Sequence, residues 1–294
     1  MARVLIAGAS GELGRQVVSE ALARGHRVVA LGRDAARLAA RLPEGVEARI
    51  GDALAPASLV GALDGCEAVI SCLGASVSPS VRAGRRGYLA TDLPANRALA
   101  DAAKAAGVAR FVYVSVAGHD LPGAAELAYY RAHEGVVEHL DAIGLEHAII
   151  RPTGFFSALA QYVEMARAGR VPMIGDGTAR SNPIADADLA RICVDALEGP
   201  ARDRTVGGPD VLSRREMIEL AFAAVERPAK ISSASPGMFA FAGKLMGVFV
   251  PRLAELLPFV IFVSTHDVIA PIAGSRRLVD AFREAARARG AGSP

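Results

Sequence analysis

Cysteine is scarce, and the few present do not form a set. Cys66, Cys72 and Cys193 are the only ones. An odd number cannot all pair, and their spacing is not that of a metal site. A reducing, cytoplasmic setting is expected, and Cys72, inside an apolar run, reads as buried filler. An excess of one charge is also missing: 33 Lys+Arg stand against 31 Asp+Glu, a net charge of +2. No basic field recommends nucleic acid as a partner. Long uncharged apolar runs are absent too. The most membrane-like stretch, 238–263, is interrupted by Lys244, Pro251, Arg252, Glu255 and Pro258. It falls short of the roughly 20 apolar residues a spanning helix needs, so no transmembrane segment is expected. The first apolar run is too short for a signal peptide and leads straight into a glycine turn. With 52% hydrophobic and 22% charged residues, the 294-residue chain is of globular type. It is long enough for a main domain and a smaller lobe.

What the chain does have is concentrated at its start. Val4-Leu5-Ile6-Ala7 has the composition of a buried strand, and Val17, Val18, Ala21 and Leu22 recur at helical spacing. Gly8, Gly11 and Gly14 lie between them. Strand, glycine turn and helix are the setting of a dinucleotide fingerprint. Gly8 allows the tight turn, Gly11 the approach of a diphosphate, and Gly14 close packing of helix on strand. The helix start offers free N–H groups to the phosphates. Gly8, Ser10, Gly11, Glu12, Leu13 and Gly14 are therefore candidate cofactor contacts. The competing reading is a tight βα turn without a ligand.

Five more strand-like runs follow: 27–31, 46–50, 68–73, 110–115 and 147–150. They alternate with helical patterns, which implies a parallel sheet with right-handed crossovers. Residues just past each strand fall on the rim where such sheets bind ligands. Arg33 stands where an NAD-binding chain carries an acidic residue. A guanidinium there can pair with a 2′-phosphate, so NADP is expected over NAD. The alternative is a solvated Arg33 beside an Asp34 that caps the helix 35–41. Asp52, followed by Ala53, either bonds the adenine or caps a turn. Leu73 and Gly74 let the backbone pass close to the cofactor. The stretch 77–87, with Arg82, Arg85 and Arg86, reads as a surface loop. Pro152, Thr153 and Gly154 lie where the nicotinamide belongs, and Phe155 and Phe156 either wall a dry pocket or fill an apolar corner.

The G-x-x-G-x-x-G spacing of GASGELG resembles the atypical branch of the short-chain dehydrogenase/reductase superfamily. So do Asp52 after the third strand, FVYVSVAG, the tyrosine-bearing helix 127–140, IIRPTGFF and ARSNPIADADLARICVDAL, in that order. The NmrA-like, NAD(P)H-binding branch is the nearest likeness, over roughly residues 2–197. The resemblance implies a doubly wound Rossmann sheet, NADP(H) as cofactor, and a Ser, a Tyr and a Lys four residues beyond the Tyr as catalytic groups. Ser115 matches the Ser and Tyr130 the Tyr, but residue 134 is Glu. A carboxylate beside a phenol would raise its pKa above the ordinary value of about 10. Tyr130 would then serve as a general acid, or His133 would take over proton transfer, or the chain would bind NADP without turnover. Helix-surface roles for Tyr129, Glu134 and Glu138 are the competing reading.

The C-terminal part reads as a helix over 157–168, turns at 169–172 and 175–177, and a helix to Leu197 capped by Asp186 or Asp188. A seventh strand near 204–208, a helix 214–225 with a Ser213–Glu216 capping box, and a basic helix 276–289 follow. The expected division is a Rossmann domain over 1–156 with 183–210 returning to it. A smaller, mostly helical substrate lobe takes 157–182 and 211–294. The apolar stretch 238–263 is read first as a lid on a small-molecule pocket, then as a homodimer face, then as a membrane-surface contact.

Overall fold

The computed structural model describes residues 1–75, 77, 86–199, 203–247 and 249–290. Most of the loop read at 77–87, including Arg82 and Arg85, lies outside them. The main sheet has seven strands in the order β3-β2-β1-β4-β5-β6-β9, every pair parallel. They are β1 (Arg3–Ala7), β2 (Arg27–Gly32), β3 (Glu47–Ile50), β4 (Ala68–Ser71), β5 (Arg110–Val114), β6 (His147–Pro152) and β9 (Asp203–Val206). This is the doubly wound Rossmann order, and the chain reverses direction across the sheet between β1 and β4.

Apolar runs buried on both faces make these strands. Val4 and Ile6 face the helices α1 (Glu12–Ala23) and α7 (Asp186–Asp195) through Val17, Val18, Leu189 and Ile192. Leu5, Val69 and Tyr113 face α3 (Asp92–Ala105) and α4 (Ala128–Ala142) through Leu99, Val136 and Leu140. The alternation has the two-residue period of a strand covered on both sides. Two remaining helices of this part are α2 (Ala35–Arg41) and the short α5 (Phe156–Leu159).

The other elements are α6 (Gln161–Arg167), β7 (Val171–Ile174), β8 (Arg180–Ser181), β10 (Leu212–Ser213), α8 (Arg214–Ala224), β11 (Ile231–Ala234), α9 (Pro236–Gly247), α10 (Pro251–Thr265) and α11 (Leu278–Gly290). β7 pairs with β11 and β8 with β10. Met217, Phe222 and Phe282 form a core of their own with Phe156 and Val163. The apolar stretch splits by role. The inner face of α10, with Leu253, Leu256, Phe259 and Phe262, packs on Tyr129 and Tyr130 of α4. α9 rests chiefly on α10 and turns Phe241 and Leu245 outward.

Several local expectations are corrected. The helix read near 57–63 is a single 3-10 turn at Pro56–Leu59. The Ser58 hydroxyl bonds to Asp52 and Ala55 backbone carbonyls and competes with a helical ladder. The helix read at 157–168 breaks at Ala160 into α5 and α6, where Val163 N–H bonds to the carbonyl three residues back. The turn read at Val171-Pro172 is strand β7, and Pro172 is tolerated because β7 has only one neighbour. Neither Asp186 nor Asp188 caps α7. Asp186 accepts from Ser157, and Asp188 accepts from the Ser275 and Arg276 amides. Both tether distant segments instead. The Ser213–Glu216 capping box is present.

Candidate active site and cofactor crevice

All strands of the main sheet run the same way, so the carboxyl ends of β1 to β6 share one rim. Gly8 has φ +79°, and a Cβ there would sit 2.7 Å from the Cys72 carbonyl oxygen. A Cβ on Gly14 would collide with the Gly8 carbonyl and stand 2.9 Å from Ala9 Cα. Any larger residue would push α1 off β1. Gly11 is the N-cap of α1, and no side chain caps that end. Its amide closes the turn onto the Gly8 carbonyl at 2.9 Å. Among the described residues nothing of the protein's own bonds the amides of Glu12, Leu13 and Gly14, and a Cβ at Gly11 would meet the Gly8 oxygen, at 3.2 Å. This is a cradle with the polarity and the room a diphosphate requires.

Arg33 is exposed at the tip of β2, while Asp34 Oδ1 accepts from Arg37 N–H at 3.1 Å and caps α2. A cation that sequence reasoning missed also reaches this corner. Arg41 Nη1 donates to the Ser10 carbonyl and to Glu12 Oε1, both at 3.3 Å. Its signal was the four-residue spacing of Arg33, Arg37 and Arg41. Asp52 Oδ1 accepts from Leu54 N–H at 3.0 Å, a local turn, and Ala53 is buried behind it. After β4, the Ser71 hydroxyl donates to Asn96 Oδ1 at 2.6 Å and Asn96 Nδ2 donates to the Leu73 carbonyl at 3.3 Å. Asp92 receives the Ala75 amide on both oxygens at 3.0 Å. Leu73 and Gly74 are thereby held between two side chains of α3. Burial pushes the Asp92 carboxyl up to about 6.

Farther along the rim, Tyr130 is fully buried, and its hydroxyl donates to the Ala117 carbonyl at 3.0 Å. The Ala117 amide in turn donates to the Pro152 carbonyl at 3.0 Å. One residue therefore ties the candidate phenol to the end of β6. Phe259 and Phe262 stand against the ring at 5.5 and 5.8 Å between centroids. Burial raises the Tyr130 phenol, Asp120 adds to the rise, and Arg214 pulls it back.

Glu134 is not the cause of that rise. Its oxygens lie 2.5 and 3.1 Å from Arg151, a guanidinium that is 2% exposed, also binds Asp203 at 2.8 Å, and donates to Ser115 Oγ at 3.3 Å. The ion pair quenches the carboxylate that the sequence sets beside the phenol. His133 is buried, with Nδ1 2.7 Å from the Tyr113 hydroxyl and Nε2 without a partner among the described residues. Burial, then the Arg151 charge, lowers it to about 3. Tyr129, read as helix surface, instead packs on Phe259 at 4.1 Å and Tyr88 at 4.7 Å. Thr153 Oγ1 donates to the Asn182 carbonyl at 2.6 Å, and Gly154 accepts from the Ile184 amide at 2.9 Å. Phe156 belongs to the core of α6, α8 and α11. The Phe155–Phe156 pair is an apolar corner, and Phe259 and Phe262 supply the aromatic wall. Arg214 is the second cation missed. It is buried, binds the Val263 carbonyl at 2.6 and 2.9 Å, and has no carboxylate at ion-pair distance among the described residues.

A family model described as NAD(P)H-binding matches residues 8–200. The chain belongs to the NAD(P)H-binding family. The match takes in the glycine turn, Arg33, the rim residues and the tyrosine helix, as the resemblance to atypical short-chain dehydrogenases implied. Among curated relatives it is 31% identical over 252 residues to the divinyl chlorophyllide a 8-vinyl-reductase of Zea mays, covering 77% of this chain and 60% of that one. It is 28% identical over 280 residues to the photosystem II assembly factor Ycf39 of Guillardia theta, covering 92% and 87%. The chain thus spans 54 to 61% of the length of these vinyl-reductases. Among solved structures, the fold superposes on the triphenylmethane reductase of Citrobacter with TM-score 0.76 at 15% identity, covering 97% and 99%. It superposes on the Escherichia coli quinone oxidoreductase solved with NADPH with TM-score 0.69 at 20% identity, covering 96% and 99%. The chain is thus a member of the NAD(P)H-binding family with the α/β Rossmann-like fold of these structures.

Proposed function

We propose that the protein is an NADPH-dependent reductase of a small, fairly apolar carbonyl or activated alkene. The observation that carries this reading is the Tyr130–Ala117–Pro152 chain of hydrogen bonds at 3.0 Å each, which couples a buried hydroxyl to the rim beside Thr153 and Gly154. The cofactor, when bound, supplies hydride. The uncapped α1 amides hold its diphosphate, and Arg33 with Arg41 recognises the 2′-phosphate. Pro152, Thr153 and Gly154 border the nicotinamide. Phe259 and Phe262 exclude water. Tyr130, with its pKa raised, keeps its proton at neutral pH; on leaving the Ala117 carbonyl its hydroxyl would give that proton to the substrate oxygen or carbon. Ser115, oriented by Arg151, bonds the same group. His133, held neutral on Tyr113, steadies α4 and is too weak a base to share in proton transfer. The curated vinyl-reductases act on an alkene by name, in keeping with this chemistry. We also propose the division into a Rossmann domain (1–156 with 183–210) and a substrate lobe (157–182 and 211–294), in a reducing compartment.

A second reading is an NADP-binding redox sensor or accessory protein without turnover. The absence of lysine from α4 favours it, as do relatives named assembly factors. Oxidation of NADPH with a panel of quinones and enones separates the two. The reductase reading expects turnover that Tyr130→Phe lowers about 100-fold while NADPH affinity stays within about twofold. No turnover by the wild type on any of them favours the sensor.

A further inference from the structure

Arg214 opens α8 and is 8% exposed. Its Nε and Nη2 donate together to the Val263 carbonyl at 2.9 and 2.6 Å, and Nη1 meets the Met217 thioether at 3.7 Å. A guanidinium carries five N–H donors, so one on each terminal nitrogen has no partner among the described residues. Val263 lies in the last turn of α10, and Arg214 therefore caps that helix. A helix end offers only about half an elementary charge, so roughly half of the buried positive charge stays unbalanced. Among the described residues no carboxylate lies at ion-pair distance, and the remaining residues include neither Asp nor Glu. Asp267, whose charge reaches the guanidinium, is itself held by the Arg180 amide at 2.7 Å and side chain at 2.8 and 3.1 Å. Arg214 also acts on two phenols, Tyr130 of α4 and Tyr162 of α6, opposing the rise that burial gives both. It thus meets the aromatic wall of the crevice from the lobe side, one residue from Phe262, whose ring stands against Tyr130. Tyr162 is partly exposed, and its hydroxyl has no hydrogen-bond partner among the described residues.

We propose that Arg214 anchors a carboxylate of the substrate, so that the carbonyl or activated alkene the protein reduces also carries an acid group on an otherwise apolar body. This rests on the reductase reading above and narrows its substrate class. A carboxylate accepts from the two terminal nitrogens in a bidentate bond, and the Tyr162 hydroxyl is a third donor. It supplies the negative charge that a buried guanidinium needs and that no side chain of the chain brings to it. Capping alone does not explain the arrangement. The Nε–Nη2 edge is enough for a cap, and an exposed cation serves a helix end as well. Burying the outer edge without a counter-charge costs stability. With the acid group on Arg214, Phe259 and Phe262 enclose the apolar body, and Tyr130 meets the group that is reduced.

Isothermal titration of the full-length protein, saturated with NADP+, tests the anchor without requiring turnover. The probes are benzoate, phenylbutyrate and benzoylpropionate, each against its methyl ester. The expected result is at least one acid bound at least about tenfold tighter than its ester. Arg214→Met removes that preference and Arg214→Lys restores part of it. Tyr162→Phe lowers it at least about threefold, and serves where Arg214→Met fails to fold. A residue that only capped α10 would lower the melting temperature of Arg214→Met and leave the acid-to-ester ratio unchanged. No acid bound more tightly than its ester, or a preference that survives the substitutions, overturns the proposal. Oxidation of NADPH by benzoylacrylate and by its methyl ester separates the two claims. An acid preference in binding with no oxidation of NADPH retires the reductase reading and leaves the anchor. Oxidation supported equally by acid and ester retires the anchor alone.

Discussion

At the scale of residues, two titrating groups behind the rim pull stability in opposite directions. His133, held at about 3 by burial and by Arg151, is neutral in the fold, whereas a free histidine protonates near 6.5. Between those values the unfolded chain binds more protons, so the stabilisation present above about pH 6.5 is lost as pH falls. Asp92, raised to about 6, holds a proton in the fold that the unfolded carboxyl has released, so between about pH 4 and 6 its contribution grows as pH falls. The histidine shift is the larger. Melting temperature should therefore fall from pH 7 to pH 5, and His133→Gln should flatten that slope. An unchanged slope would mean that His133 takes a proton in the fold. The sequence made His133 visible as a base on the tyrosine helix. It did not reveal that Tyr113, twenty residues upstream on β5, accepts or donates the bond to its Nδ1. Glu134 carries the same lesson. Its neutralising partner Arg151 was in plain view as the end of a strand, but only the packing of α4 on β6 brings the two within 2.5 Å.

At the scale of elements, the first βα corner is the most sequence-determined part of the molecule. Gly8, Gly11 and Gly14 each have a reason that local chain geometry supplies, and the reason survives in the structure. Gly14→Ala should cost about 1–3 kcal/mol of stability, because the added Cβ meets rigid backbone at Gly8 and Ala9. It should also weaken NADPH at least about tenfold by moving the α1 amides. Differential scanning fluorimetry and a fluorescence titration read the two effects, and a variant as stable and as tight as wild type would show that α1 is not pinned there. The buried strands were legible for the same kind of reason, since each is an apolar run closed on both faces. The small pairs β7–β11 and β8–β10 were not. They join segments about 30 to 60 residues apart through two to four residues each, and no local pattern announces them. Helix 157–168 misled because its composition is helical throughout, whereas the break at Ala160 follows from docking Phe156 into the core of α8 and α11.

At the scale of the whole molecule, a parallel sheet brings residues from six separate strand ends to one edge, and the crossover between β1 and β4 opens the crevice there. The family match over residues 8–200 agrees with that geometry. The part of the chain beyond it supplies what the match does not cover, an inner aromatic wall from α10 and an outer ridge from α9. Within the crevice, we propose that the Arg33–Arg41 corner distinguishes one dinucleotide from the other, since the carboxylates there are already engaged, Glu12 by Arg41 and Asp34 by the Arg37 amide. Calorimetric titration of the protein with NADPH and with NADH, repeated on Arg33→Asp, tests this most directly. The prediction is NADPH tighter than NADH by at least about tenfold, roughly 1.4 kcal/mol, with the difference erased by the aspartate. NADH bound as tightly as NADPH by the wild type would contradict it.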